Sequence, residues 1–428
     1  MQDKTSTYVD VAVIGGGPAG ISTSLGLSKE EKLSIALFES EAELGGMPRS
    51  CHIFFGLRDM KRIYTGPQYA RKLNELIQET SVQIHKNATV LKVLPGKPGE
   101  LHQLTVSSPE GLRKYNSRIV VLATGCYEKS REARRIPGGR PAGIFTTGSL
   151  QQIVNLQGLR PGKKAVVIGS EHVALLSVIT LRRAGVSVIG LVDEDQFLKT
   201  YPIAAKAISC FYRFPIYKGY EVGSILGKNR VEGVQLVSTT RDGVLRLDCD
   251  TVVCTSNFRP DAALIYNTPI EQDPFTLGPS VDVDYMTTVP HIFAAGNILH
   301  GADMHDLCAL EGEKAAQSIL RTLRSTKVEE QEFVYMSAES PIRYVVPQRI
   351  LRSKIRQHRA SWLSPGVAFQ VASTVKRPTV EAWSGEERIW ARSYSRLIAR
   401  TRIPLPIEEF DWSRIGPGKS ITLKMKDV

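Results

Sequence analysis

The chain has 428 residues, of which 42% are hydrophobic and 23% are charged, a balance typical of a globular protein with room for two or three domains. Its net charge of +12 would suit nucleic acid, a membrane surface or an acidic protein, but no recognised nucleic-acid motif accompanies it. No apolar run reaches the roughly 20 residues of a membrane span, and the first predicted strand begins too near Met1 for a signal peptide. We therefore expect a cytoplasmic protein without a membrane span or a nucleic-acid partner.

The cysteines do not form a recognisable site. The six cysteines are Cys51, Cys126, Cys210, Cys249, Cys254 and Cys308. They are scattered along the chain, and no two of them form a C-x-x-C pair. Reduced thiols are the expectation for such a pattern in a cytosolic protein. No metal site is predicted.

The first motif is a strand, a glycine turn and a helix. The apolar run 11–14 leads into Gly15, Gly17 and Gly20 of the string VIGGGPAG, and 21–27 is predicted as helix. Glycines let the backbone approach a pyrophosphate, and a helix N-terminus offers free N–H groups to it. Glu39 ends a second apolar strand (33–38) roughly 20 residues later, where an acidic side chain binds a ribose hydroxyl in dinucleotide folds.

The next segment adds a second glycine pair and a change of pattern. Gly45 and Gly46 allow a loop to pass close to a cofactor, although an ordinary turn is an equal alternative. A helix is predicted over 65–80 and a strand over 82–85. Four short segments, at 89–93, 101–107, 112–115 and 118–123, indicate an antiparallel meander. The last of them runs into Thr124 and Gly125, so its end should reach the crevice formed by the first turn.

A second unit repeats the strand–turn–helix plan. Strand 165–168, helix 171–183 and strand 187–192 are predicted, and Asp193 ends the last strand. Gly169 is retained, but Glu171 stands where the second glycine would be. A carboxylate would oppose a pyrophosphate at close range, so a structural copy of the fold and a dinucleotide site remain about equal alternatives.

The chain then closes with a short strand, a turn and a long helix. Strand 292–295 precedes Gly296 and Asn297, and Asp306 is predicted to be the N-cap of the helix. After about residue 334 the sequence favours a small β-rich module, with strands near 367–372, 388–394 and 421–425. This part contains all four tryptophans, Trp362, Trp383, Trp390 and Trp412, and a charge of 17 − 9 = +8 over residues 331–428. Both an interface and a core with a basic rim fit that composition.

The motifs together resemble the FAD/NAD(P) pyridine nucleotide-disulfide oxidoreductase superfamily over about residues 8–325. The strings that carry this resemblance are VIGGGPAG, LGG, LATG and TTVPHIFAAGN. Further strings, such as LGGMPRSCHIFFGL and RYVVPQRI, resemble its disulfide-free branch. That branch includes flavoprotein subunits accompanying glycerol-3-phosphate dehydrogenase-like proteins and the alpha subunits of opine, proline and cyanide-forming dehydrogenases.

The resemblance implies that FAD lies along the first fold. It implies the following contacts: Gly15, Gly17, Pro18, Ala19 and Gly20 at the pyrophosphate, Glu39 at the adenosine ribose, Gly45 and Gly46 toward the ribityl and ring side, Ala123, Thr124 and Gly125 on the adenosine side, Gly296 and Asn297 at the ribityl and phosphate, and Asp306 in the helix end directed toward the flavin. The superfamily usually has Asp where Asn297 stands, but Asn still donates and accepts hydrogen bonds.

Two departures from the family pattern bear on the chemistry. Only Cys51 follows the LGG loop, so dithiol chemistry is not expected, and Cys51 and His52 become candidates for an acid/base or charge-transfer role at the flavin. Glu171 puts NAD(P) in doubt at the second site of Gly169, Glu171 and Asp193. Asp193 favours NAD over NADP there if either binds.

The predicted architecture is α/β, with two Rossmann-like folds and a small C-terminal β-rich module. The FAD domain would comprise 1–145 and 266–330, the inserted NAD(P)-like domain 146–265, and the module 331–428. The predicted function is an FAD-dependent oxidoreductase that transfers two electrons between its flavin and NAD(P)H or a small reduced substrate. It would work with a second flavoprotein or iron–sulfur subunit. The alternative is an assembly subunit that holds FAD or an adenine nucleotide structurally while a partner chain oxidises the substrate.

Overall fold

A computed structural model of the chain describes residues 6–255, 257–324, 332–357, 361, 363, 366–416 and 418–426. The N-terminal part builds a seven-stranded sheet whose parallel centre is β5-β2-β1-β8, extended by antiparallel β7 and β6. Its elements are β1 (Thr7–Ile14), α1 (Pro18–Leu27), β2 (Ile35–Phe38), β3 (Phe54–Phe55), β4 (Tyr64–Thr65), α2 (Gly66–Gln78), β5 (Gln83–His85), β6 (Thr89–Leu94), β7 (His102–Ser108) and β8 (Gly111–Leu122).

The predicted meander exists, but its last two strands are one. β8 runs unbroken for 12 residues. Its first half pairs antiparallel with β7, and its second half pairs parallel with β1. The polar residues between the two predicted strands do not break it, because Ser117 is fully buried and its hydroxyl donates to the backbone oxygen of Ile119 at 2.7 Å.

The second unit forms its own parallel sheet, in the order β10-β17-β11-β12-β13, with a three-stranded antiparallel sheet beside it. Antiparallel β9 and β18 are the two connections to the first unit. The elements are β9 (Cys126–Glu128), β10 (Ile144–Thr146), α3 (Thr147–Gln151), β11 (Lys164–Ile168), α4 (His172–Arg183), β12 (Ser187–Asp193), α5 (Pro202–Tyr212), β13 (Ile216–Lys218), β14 (Tyr220–Leu226), β15 (Gly233–Ser238), β16 (Val244–Leu247), β17 (Thr251–Cys254) and β18 (Phe258–Pro260). The exact domain limits given above stay a prediction.

The chain then returns to the first sheet. β19 (Ile292–Ala294) pairs parallel with β8, and α6 (His305–Arg324) packs along α1. The two helices approach closely at glycines. A Cβ on Gly312 would lie 2.1 Å from the backbone oxygen of Ala19, and one on Gly20 would lie 1.9 Å from the backbone oxygen of Gly15. The glycines thus fix α1 against both its own turn and α6.

The predicted C-terminal β-rich module is confirmed. Its sheets are β22-β20-β29-β25-β26, β21-β23-β28 and β24-β27. The strands are β20 (Phe333–Ala338), β21 (Ile342–Val346), β22 (Arg349–Leu351), β23 (Ala368–Val371), β24 (Val375–Lys376), β25 (Thr379–Ser384), β26 (Glu387–Ser393), β27 (Arg396–Leu397), β28 (Ile403–Pro404) and β29 (Ile421–Lys426). Trp390 belongs to the module's core and Trp412 packs against it, which favours the core over the interface interpretation. Trp362 lies outside the described residues.

The contact between α1 and α6 gives a test of the fold. We expect Gly312→Ala to lower the free energy of unfolding by about 2–3 kcal/mol, because its methyl group must displace backbone. Gly243→Ala is the matched control, since a Cβ there meets nothing within 4 Å. Denaturant unfolding of both variants measures the difference. If Gly312→Ala were as stable as Gly243→Ala, α1 and α6 would be able to accommodate the methyl group without loss of stability.

Candidate cofactor site

A cavity of about 520 Å³ lies at the carboxyl ends of β1, β2 and β8, where ligands bind in open α/β sheets. Many of the predicted cofactor residues line it: Gly15, Gly17, Pro18, Ala19, Glu39, Gly46, Ala123, Thr124, Gly125 and Asn297. Three other predicted residues, Gly20, Gly45 and Gly296, are not among its lining residues. They shape the backbone behind it, as the close contacts of Gly20 and Gly296 with neighbouring atoms indicate.

The floor of the cavity is backbone because three positions carry no side chain. Gly15 has φ +108°, and its Cβ would lie 2.3 Å from the oxygen of Ala123. A Cβ on Gly17 would meet no atom within 4 Å, and one on Gly46 would lie 3.1 Å from the Cα of Gly17. Any side chain at residue 17 would therefore occupy space above the first turn of α1, where the free N–H groups of a helix attract an anion.

Glu39 is held in place by backbone donors. Its Oε2 accepts a hydrogen bond from the N–H of Gly16, and its Oε1 accepts one from the N–H of Glu41, both at 2.8 Å. The residue is 9% exposed and lines the cavity. A carboxylate offers about four acceptor positions for hydrogen bonds. Glu39 can therefore still accept a hydrogen bond from a ribose hydroxyl.

Asn297 is oriented by the start of α6. Its Oδ1 accepts from the backbone N–H of Asp303 at 3.0 Å and from the thiol of Cys308 at 3.1 Å. With that oxygen engaged, the amide NH₂ is the group left for a ligand. Cys308, Cys126 and His305 also line the cavity, and none of them was predicted as a cofactor residue. The signal in the sequence was their position beside two motifs: Cys126 directly follows LATG, and His305 and Cys308 follow AAGN.

Asp306 is not the N-cap that the sequence suggested. α6 begins at His305, so Asp306 is its second residue, and its carboxylate is 1% exposed and paired with Arg58 at 3.0 Å. His305 faces the cavity instead and packs against Phe55, with ring centroids 4.8 Å apart and the rings tilted by 57°. Burial lowers the pKa of His305 to about 4, so its imidazole is neutral at physiological pH.

Cys51 and His52 are not among the residues that line the cavity. Burial raises the pKa of the Cys51 thiol to about 11, which disfavours the thiolate that charge transfer needs. Burial and the nearby Arg183 lower the pKa of His52. The structure does bring Cys51 within 4.0 Å of the side-chain nitrogen of Gln151, but this contact belongs to the wall behind the cavity.

The second fold brings Gly169, Glu171 and Asp193 together but fills the space between them. Oε2 of Glu171 would lie 2.7 Å from a Cβ on Gly169, and the hydroxyl of Thr255 donates to it at 3.4 Å. Glu171 itself is the N-cap residue of α4, yet its side chain makes no capping bond. The carboxylate therefore lies over the glycine turn, where the pyrophosphate of a dinucleotide would approach.

Lys199 occupies the part of the second site beside Asp193, where a ribose would bind. Its Nζ lies 3.0 Å from Oδ1 of Asp193, whose side chain is fully buried, and 3.1 Å from Oδ2 of Asp195. The backbone N–H of Lys199 donates to Oγ of Ser170 at 3.0 Å, so the loop 195–200 covers the turn. Burial lowers the pKa of Lys199, but Asp193 and Glu171 raise it by more. The ammonium therefore stays charged and bound to the carboxylate expected to hold a ribose.

The residues around the first cavity fit FAD. A floor without side chains, the open N-terminus of α1, a fixed carboxylate and an amide at the far wall supply the contacts that a pyrophosphate, a ribose and a polyhydroxyl chain require. Two further properties of the chain concern metals and membranes. Among the described residues, no group of three or more His, Cys, Asp or Glu side chains could hold a metal ion.

Within the same ranges, no helix is long and apolar enough to cross a membrane.

Comparisons with known proteins give the family. The family model for pyridine nucleotide-disulphide oxidoreductases matches residues 9–319. The chain is 27% identical to the hydrogen cyanide synthase subunit HcnB of Pseudomonas protegens over 42% of its own length and 37% of the relative. It is 24% identical to an opine oxidase subunit of Agrobacterium tumefaciens over 88% of its own length and 78% of that protein. The chain thus spans just over a third of the first of these relatives.

The fold is also that of a solved enzyme. The structure of thioredoxin reductase from T. acidophilum superposes with a TM-score of 0.64 at 18% identity, covering 75% of this chain and all of that one. This superposition shows that the two chains share a fold. The chain belongs to the pyridine nucleotide-disulphide oxidoreductase family.

Proposed function

We propose that this chain is the FAD-binding subunit of a multi-component dehydrogenase and that it does not exchange hydride with NAD(P)H. The observation that carries the proposal is the contrast between the two glycine turns. The first opens onto a cavity of about 520 Å³, whereas the carboxylate of Glu171 and the loop carrying Lys199 cover the second. The electron donor is then a small reduced substrate or a cofactor of a partner chain.

The roles of the chain's own residues follow from this assignment. Bound FAD would supply the two-electron chemistry, and the protein would supply orientation and electrostatics. Gly15, Gly17 and the first turn of α1 would bind the pyrophosphate, and Glu39 the adenosine ribose. Asn297 would hold the ribityl end through its amide. His305, neutral and buried at the cavity wall, could accept a proton only if its surroundings change, so it would serve mainly to exclude water.

The relatives suggest a class of substrate and a setting. Several are named as subunits of opine oxidase, and one solved structure with a TM-score of 0.56 is titled L-proline dehydrogenase. We propose an amino-acid-derived amine as the substrate class and a second flavoprotein or an iron–sulfur protein as the partner. In the alternative, this chain holds FAD structurally and a partner oxidises the substrate. The observation that favours this alternative is that Cys51 and His52 do not line the cavity, so neither side chain can act there as an acid or a base.

Gly17 tests the cofactor site. We expect Gly17→Ala to weaken FAD binding by roughly tenfold, because the added methyl group would occupy the space through which the pyrophosphate approaches the backbone. The stability of the protein without FAD should not fall, since a Cβ there meets no atom within 4 Å. Quenching of flavin fluorescence measures the affinity. Gly243→Ala, which also places its methyl group in open space, should bind FAD normally; unchanged affinity in Gly17→Ala would place the cofactor elsewhere.

Anaerobic mixing tests the electron donor. We expect the FAD-loaded protein to keep its flavin absorbance with NADH and with NADPH, because the second fold is filled, and to lose it with dithionite, which shows that the flavin is competent. L-Proline and opines are then added to the isolated chain. Bleaching by one of them supports the dehydrogenase; bleaching only after a co-purified partner is restored supports the structural alternative. Rapid bleaching by either pyridine nucleotide would contradict the proposal.

A further inference from the structure

One arginine of the C-terminal module, Arg402, contacts residues that support the wall of the cofactor cavity. Arg402 directly precedes β28, and its Nη2 donates to the backbone oxygen of Gly366 in the same module at 3.1 Å. Its Nη1 lies 2.8 Å from Oε1 of Glu311 and 3.1 Å from Oδ2 of Asp303. Glu311 belongs to α6, and Asp303 to the loop before it. One guanidinium therefore joins the module to two carboxylates of the FAD-binding part.

Each of these carboxylate residues holds one side of the AAGN turn. Oε2 of Glu311 accepts a hydrogen bond from the N–H of Gly296 at 3.1 Å. The backbone N–H of Asp303 donates to Oδ1 of Asn297 at 3.0 Å. Gly296 has φ +81°, a conformation available at little cost only to glycine. The position of the Asn297 side chain at the cavity wall thus depends on Glu311 and Asp303 together.

The carboxylate of Glu311 needs the arginine. Its side chain is 1% exposed, and an unpaired charge at such depth is strongly unfavourable. Burial raises the pKa of Glu311, but Arg402 and then His300 lower it by more, to about 2. His300 is a weaker partner, with its Nε2 3.5 Å from Glu311. Without Arg402 the carboxylate would have to take up a proton or move toward water, and either change would disturb its bond to Gly296.

We propose that Arg402 is a positioning residue through which the C-terminal module holds Gly296 and Asn297 in the arrangement that binds FAD. The module is then part of the cofactor site, although none of its described residues lines the cavity. Arg402 acts through Glu311 and Asp303 and does not itself touch the cofactor. This inference rests on the proposed binding of FAD in the first fold and extends it to the module.

Arg402→Met removes the charge and keeps the length of the side chain. We expect Arg402→Met to weaken FAD binding by roughly tenfold. The substitution removes the hydrogen bonds to the carboxylates of Glu311 and Asp303, the two residues that hold the AAGN turn in place. Arg402→Lys keeps the charge but loses the guanidinium fork, so it should recover only part of the affinity lost in Arg402→Met. Arg392→Met is the matched control, since Arg392 lies in the same module and pairs with Glu409 at 2.7 Å, away from the cavity; it should bind FAD normally.

The readouts separate positioning from general stability. Flavin fluorescence gives the affinity, the visible spectrum of bound flavin reports its surroundings, and unfolding without FAD reports the fold. An affinity loss in Arg402→Met together with rescue by Arg402→Lys supports the proposal. Equal affinity in Arg402→Met and the unchanged protein would overturn it. Failure of the unchanged protein to bind FAD would overturn the proposed function instead.

A second pair of variants covers the case in which Arg402→Met does not fold. Glu311→Gln keeps an oxygen that can accept from Gly296 and removes the buried charge, so Arg402→Met/Glu311→Gln leaves no unpaired carboxylate at residue 311. We expect this double variant to bind FAD roughly fivefold more weakly than Glu311→Gln alone, because the contact with Asp303 is still lost. Equal affinity of these two variants would overturn the proposal.

Discussion

The close approach of backbone at the first glycine turn is the constraint on which the cofactor site depends. A Cβ on Gly20 would overlap the oxygen of Gly15, and one on Gly312 would overlap the oxygen of Ala19. α1 is therefore held between its own turn and α6. This packing directs the N-terminus of α1 and the start of α6 into the same cavity, so elements far apart in sequence line one site.

The same fold occurs twice, but the outcomes differ because of side chains. In the first unit the floor is glycine backbone and Glu39 is fixed by backbone N–H groups, which leaves the space above free. In the second unit Glu171 lies over Gly169, and Lys199 satisfies Asp193 in place of a ribose. The C-terminal module also contacts the covering loop, since Thr374 donates to the oxygen of Leu198 at 3.4 Å. The module therefore contacts both nucleotide folds, through Thr374 at the second and through Arg402 at the first.

Much of this could be predicted from sequence because glycine turns and buried parallel strands are local patterns. The strands and helices around VIGGGPAG, the position of Glu39 and the β-rich C-terminal module were predicted correctly. α5 was missed because its apolar residues are not confined to one face: Ala205, Ile208 and Tyr212 pack against the core, whereas Ile203 and Phe211 are exposed. Lys199, Arg402 and the pairing of Asp306 with Arg58 could not be predicted, since each depends on contacts between distant segments. The sequence raised a doubt about NAD(P) binding at Glu171, and the structure adds Lys199, which pairs with Asp193 nearby.

We propose that the first Rossmann-like fold is open to a dinucleotide and that the second is filled by the chain itself. Calorimetric titration of the FAD-loaded protein with NADH tests this contrast, alongside Glu171→Gly/Lys199→Ala, which removes the two covering side chains. We expect no saturable binding to the unchanged protein and measurable binding to the double variant. Saturable binding of NADH to the unchanged protein, with the same affinity in the double variant, would contradict the proposal.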